Sequence, residues 1–171
     1  MESRNNSTKS VALGGILLAL SLVTIFLASM VPGAELTLYA ISSFYVALLV
    51  LKTSAINGWI FYVASFLLAL ALVPNKLAVL PYGMFFGFYG IIKYYIEKLN
   101  NQALEIILKL VCFNIIWGLG LYFFKELLLG NINLPELSNI ILIIGAQVMF
   151  LLYDYIYTLV IAYYQKRLSR L

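Results

Sequence analysis

Asp154 is the residue of this chain whose type and setting most demand a chemical reason. It lies in the apolar run FLLYDYIYTLV, twelve residues before Lys166, which is about 18 Å along a helix at 1.5 Å per residue. That depth is near the middle of a bilayer. A carboxylate there costs about 2.5–3.5 kcal/mol or more unless it is paired, protonated or hydrated. Gln147, seven residues earlier, and Thr158, four later, fall on the same helix face. Two readings stay open: the stripe lines a polar cavity and touches a ligand, or Asp154 is structural. In the second case it pairs with Lys109 or Lys93, or hydrogen-bonds one of the surrounding tyrosines.

Other polar residues in apolar surroundings extend the set of candidates. Glu35 follows the Pro32-Gly33 break in VPGAELTLY; it is either a plain turn carboxylate at the headgroup level or a ligand contact on a short hairpin folded over a cavity. Asn114 and Trp117 stand one helical turn apart. An asparagine at such a place hydrogen-bonds a neighbouring helix, worth about 1 kcal/mol, or joins the Trp117 ring in a pocket. Glu105 and Lys109 have the favourable acid-first i,i+4 spacing, which suits an anchor at a helix end from which the lysine snorkels. Of the thirteen tyrosines, those at helix ends form an aromatic belt. Tyr82, Tyr89, Tyr153, Tyr155 and Tyr157 lie further inside, where phenols can line a ligand pocket.

Small residues mark places where helices approach closely. Ala12, Gly15 and Ala19 share one side of the first apolar run, and Gly83, Gly87 and Gly90 share one face of the fourth. Such spacing serves packing within the chain or seats a partner's helix.

Several chemistries are excluded by absence. With no histidine, imidazole-dependent hydrolysis, HExxH zinc sites and histidine-ligated haem are not available. The single cysteine, Cys112, makes no intrachain disulfide and no cysteine metal cluster, and in LVCFNII it reads as a small buried hydrophobe. No phosphate-binding glycine loop and no basic tract for nucleic acid occurs. One central carboxylate, without a second or a Ser–Lys pair, is a poor constellation for an intramembrane enzyme. No cofactor is expected, and the absence of an internal repeat argues against a secondary carrier.

The elements that position these residues follow from composition. The chain has 171 residues, 64% hydrophobic and 11% charged, with mean hydropathy +1.00. Soluble domains carry roughly 25% charged residues, and a domain this small has too little interior to hide so much apolar surface. Lipid is the expected solvent. Runs of about 20 residues cross the hydrocarbon core as helices, and six are found at about 11–31, 36–51, 55–73, 77–96, 103–124 and 138–164, with a polar hairpin at 130–136 before the last. The run lengths point to helices rather than a barrel. The expectation is an all-α polytopic integral membrane protein, one compact six-helix bundle over 1–171 with no soluble domain. Placing both termini on one side gathers Arg4, Lys9, Lys52, Lys93, Lys98, Lys109, Lys166, Arg167 and Arg170 there and leaves only Lys76 and Lys125 opposite. Both termini are therefore expected in the cytoplasm. The net charge of +4 then reflects topology and anionic inner-leaflet lipid.

In length, six-helix topology and the small-residue face Ala12, Gly15 and Ala19 of VALGGILLAL, the chain resembles the substrate-binding S component of energy-coupling factor (ECF) vitamin transporters. The resemblance implies a subunit of the bacterial inner membrane that captures a vitamin-like molecule from outside. Its cavity would be capped by the first external loop, here Pro32–Glu35, with contacts on the outer halves of the last three helices. Glu35, Tyr82, Asn114, Trp117, Gln147 and Asp154 are the candidate ligand residues. Ala12, Gly15 and Ala19 would dock on the transmembrane coupling subunit, whose ATPases make the S component topple or rotate. The alternative is a small structural or assembly protein that holds partner proteins and binds no small molecule. An outward-open cavity lined by Asp154, Gln147, Asn114 or Trp117 would distinguish the first from a solid bundle core.

Overall fold

The computed structural model describes residues 2–129 and 136–168, with side chains over 8–120, 122 and 143–166. Except for Glu136, the hairpin expected at 130–136 lies outside the described residues. So do the side chains of Arg4, Lys125, Arg167 and Arg170, which were counted for orientation. The described residues are helical apart from short joints and contain no strand. In order come α1 (Glu2–Ala28), α2 (Glu35–Lys52), α3 (Ala55–Leu72), a 3-10 turn (Lys76–Val79), a π turn (Tyr82–Phe86), α4 (Gly87–Glu97), α5 (Gln102–Leu129) and α6 (Glu136–Leu168). They supply six helical segments long and apolar enough to cross a membrane, the fourth running from Lys76 to Glu97 through the two short turns.

Local chemistry sets the joints. α1 stops at Ala28, short of the Val31 expected from the apolar run, because Pro32 disfavours helix at the residue before it. Gly33 then takes φ 85°, a left-handed conformation that suits glycine. α2 opens with Glu35 at its positive end and closes with Lys52 at its negative end. Ser54 caps α3 by accepting from the Asn57 backbone N–H at 3.3 Å. At the far end of α3, Lys76 folds back and its ammonium donates to the carbonyls of Leu70 (2.5 Å), Ala71 (3.4 Å) and Val73 (2.8 Å).

The fourth span departs from the single helix expected at 77–96. Pro81 brings no N–H and cannot continue a regular helix from Leu77. The chain enters by a 3-10 turn, widens so that Gly87 N–H reaches the Tyr82 carbonyl, and settles into α4 only afterwards.

The chain divides between Leu99 and Asn100 into two compact units. The first packs α1–α4 around two buried clusters. One joins Ile25, Ala28, Tyr39, Ala69, Val73, Val79 and Tyr82; the other joins Leu17, Val46, Leu49, Val50, Phe61 and Ile91. Close approach requires the glycines: a Cβ at Gly83 would stand 2.2 Å from Cε2 of Phe66, and one at Gly87 2.7 Å from the Tyr62 ring. The glycine face of the fourth span is thus used in packing against α3. The second unit is the helix pair α5 and α6.

Candidate functional site

Three of the candidate residues meet in the second unit. The Lys109 ammonium on α5 lies 3.1 Å from Oδ2 of Asp154 on α6, with the two side chains 6% and 16% exposed. Next along the pair, Phe113 stacks on Phe150 with ring centroids 4.4 Å apart and planes 10° from parallel. Beyond them Gln147 Nε2 donates to Asn114 Oδ1 at 2.6 Å, and Asn114 Nδ2 returns a longer bond to Gln147 Oε1 at 3.5 Å. Positions advance on α5 as they retreat on α6, so this is one antiparallel seam with polar pairs either side of an aromatic one.

The seam gives each polar group a protein partner. Asn114 Nδ2 also donates to the Leu110 carbonyl at 2.8 Å, and Thr158 donates its hydroxyl to the Asp154 carbonyl at 2.9 Å. Trp117 stacks beyond Phe113 at 6.0 Å and is 42% exposed. Lys109 is a correction to the anchor expected from its i,i+4 spacing with Glu105: it is only 5% exposed and turned onto Asp154. A buried ammonium gains more from a facing carboxylate than from a weak surface pair along its own helix. Lys93, named with Lys109 as a possible partner of Asp154, is 1% exposed and lies 2.8 Å from Glu97.

Glu35 and Tyr82 belong to the first unit. Glu35 stands at the rim of a cavity of about 310 Å³ between the α1–α2 turn and the 3-10 turn, lined by Ala28, Ser29, Glu35, Leu36, Tyr39, Asn75, Ala78 and Pro81. Its size is at the low end for small-molecule sites. Tyr39 builds the inner wall and donates its hydroxyl to the Ala78 carbonyl, tying α2 to the 3-10 turn. Ser29 donates to the Phe26 carbonyl at 2.6 Å, and Asn75 Oδ1 accepts from the Leu77 backbone N–H at 3.1 Å. The Glu35 carboxylate has neither a hydrogen bond nor an ion pair among the described residues.

Tyr82 lies behind that wall, in the core cluster that includes Tyr39 and Ala28. It is fully buried and shares a 2.6 Å hydrogen bond with Ser65 of α3. The buried Ser21 hydroxyl of α1 sits beside this phenol without a hydrogen bond of good geometry. Alongside, Tyr62 donates to the Gly83 carbonyl at 2.6 Å.

Sequence reasoning missed Asn75, Ser29 and Tyr39 as cavity residues, Ser65 as the hydrogen-bond partner of Tyr82 and Ser21 as its buried neighbour. Serines inside apolar runs and an asparagine directly after Pro74 were the available signals. Family models, curated proteins and solved structures give no match to this chain.

Proposed function

We propose that this chain is the membrane-embedded substrate-binding subunit of an ECF-type importer in a bacterial inner membrane, with both termini in the cytoplasm and the Glu35 cavity open to the outside. The observation that carries the reading is that cavity: a carboxylate with no hydrogen bond or ion pair among the described residues stands over a pocket formed where the first turn meets the segment after α3. This is the loop that the resemblance to S components assigns to ligand capping. The subunit binds its vitamin-like substrate and performs no bond chemistry on it. Movement of the substrate falls to the coupling subunit and its ATPases. Ala12, Gly15 and Ala19 form the docking face; all three are exposed along α1, and a Cβ at Gly15 would meet nothing within 4 Å.

The second reading, a structural membrane protein without a small-molecule ligand, is favoured by the α5–α6 seam. There Asp154, Asn114 and Gln147 are engaged in joining two helices.

Native mass spectrometry of the protein purified from its source membrane tests the proposal. A retained small molecule and a co-purifying coupling subunit are expected. Gly15→Leu should release the coupling subunit and keep the small molecule, since the fold has room for the larger side chain. A protein that carries neither, in gentle detergent, belongs to the structural reading.

A further inference from the structure

The side chains that line the cavity at the α1–α2 turn have a one-sided inventory of hydrogen-bonding groups. Its donors are largely used: the Tyr39 hydroxyl goes to Ala78, and the Ser29 hydroxyl to Phe26. Among the side chains, what remains open is mostly lone pairs, on the Glu35 carboxylate, Ser29 Oγ and the Tyr39 phenol, against the Asn75 amide NH₂; the backbone N–H groups of Glu35 and Leu36, in the uncapped first turn of α2, are further donors. Among the described residues, no lysine or arginine lines the cavity. Lys76, adjacent to Asn75, sends its ammonium back onto the last carbonyls of α3, so the nearest cation in sequence is occupied as a helix cap. Ala28, Leu36, Ala78 and Pro81 complete the wall with apolar surface.

Lining side chains that offer mainly acceptors, with a carboxylate at the rim and no lining cation among the described residues, call for a ligand that carries donors and a positive charge. We infer that the cavity takes the ammonium group of a small amphipathic amine, with Glu35 as its counter-ion and the apolar wall receiving its body. An ammonium brings three donors and makes charge-assisted bonds to a carboxylate. An anion would face Glu35 with no lining cation to offset it. The feature that favours an anion is the first turn of α2, whose N-cap, Ala34, supplies no side-chain hydrogen bond; Glu35 already places a negative charge at that helix end. This inference rests on the binding-subunit reading and narrows its substrate. The same ammonium chemistry could come from a free amine or from a phosphatidylethanolamine headgroup.

The test uses the full chain in dodecyl maltoside, which carries no charge and no amine. Binding of phenethylamine, 2-phenylethanol and phenylacetate is measured by calorimetry and by the shift in thermal midpoint. Phenethylamine should bind at least about tenfold tighter than the other two, the effect of one charge-assisted contact. Glu35→Gln should remove that preference and lower the midpoint of the unliganded protein only slightly, because the Glu35 side chain is exposed and its charge acts on α2 only as a favourable group at the helix start. Competition by added phosphatidylethanolamine identifies the headgroup as the source, whereas indifference to it identifies a free amine; either sustains the ammonium site. Equal binding of the three probes, or a preference that survives Glu35→Gln, overturns the inference and leaves the binding subunit standing. No binding by any probe, with no small molecule retained after purification, overturns both.

Discussion

The two units differ in which polar groups reach from one element to another. In α1–α4 the serine and threonine hydroxyls mostly turn back onto their own helix, as where Thr24 donates to the Ser21 carbonyl at 2.8 Å, Ser42 to Tyr39 at 2.7 Å and Ser43 to Ala40 at 2.6 Å, while the phenols of Tyr39, Tyr62 and Tyr82 bond to other elements. In α5–α6 the amides and the charged groups reach across to the facing helix. The difference follows from what each group needs. A hydroxyl is satisfied by a carbonyl three or four residues back and then says nothing about which helix lies alongside. A carboxylate in apolar surroundings cannot be satisfied by its own backbone carbonyls, so it fastens one helix to another. The first unit is therefore specified mainly by shape, through glycines set against aromatic rings, with three phenol hydrogen bonds between its elements. The second is specified by polar pairing.

The largest effect should come from breaking the ion pair. Asp154→Leu takes from the buried Lys109 ammonium the carboxylate that faces it, and removal of one partner of a buried pair costs about 3–5 kcal/mol. Unfolding in mixed micelles by increasing dodecyl sulfate should show that loss. The double variant Lys109→Met/Asp154→Leu should recover most of it, because two matched apolar side chains carry no desolvation cost. A single variant as stable as the parent would mean that the pair does not hold α5 to α6. Glu35→Gln, which alters a carboxylate without such a partner, is the contrasting control and should cost no more than about 1 kcal/mol, the worth of its charge at the start of α2.

Shape specification predicts a second contrast, between glycines. Gly83→Ala drives a methyl into Phe66 and should cost about 1–3 kcal/mol, the range for overpacking a filled site. Gly118 and Gly145, on α5 and α6, have nothing within 4 Å of a built Cβ. Alanine there should be neutral or stabilising by up to about 1 kcal/mol, as expected where a helix-interior glycine is relieved of its entropy cost. Equal losses at Gly83 and Gly145 in the same unfolding assay would erase the distinction between the units.

The six helical spans were legible because run length and charge placement are properties of the linear chain. So was the existence of a polar face on the last helix: Gln147, Asp154 and Thr158 share it by spacing alone. The contact between Asp154 and Lys109 was not, since Lys109 and Lys93 are equivalent to a reader of one sequence and only helix packing brings the first to 3.1 Å. The local i,i+4 rule pointed Lys109 the other way. The jointed fourth span was legible in principle from Pro81, but an unbroken apolar run masks the change from one kind of turn to another. The cavity was half legible. Glu35 declares itself after Pro32-Gly33, whereas its wall is assembled from Ala28, Tyr39, Asn75 and Pro81, which come together only when α2 is tied to the 3-10 turn by Tyr39.

The smallest effect should be the amide pair, and it bears most directly on whether polar pairing or shape governs the second unit. Asn114 and Gln147 form one short and one long hydrogen bond, but Asn114 also holds the Leu110 carbonyl at 2.8 Å, so half of its capacity survives loss of the partner. Interhelical hydrogen bonds of this kind average about 0.6 kcal/mol in apolar surroundings and reach about 1.7 kcal/mol at most. A double-mutant cycle over Asn114→Ala and Gln147→Ala should therefore give a coupling near the lower of these values. Each single variant should remain folded, and the double variant should be scarcely worse than either. A coupling above that of the ion pair would shift the fastening of α5 to α6 from Asp154 to the amides. A coupling of zero would leave Phe113 on Phe150, the stacked pair between them, as the contact that sets the register at this level, and the second unit would then owe as much to shape as the first.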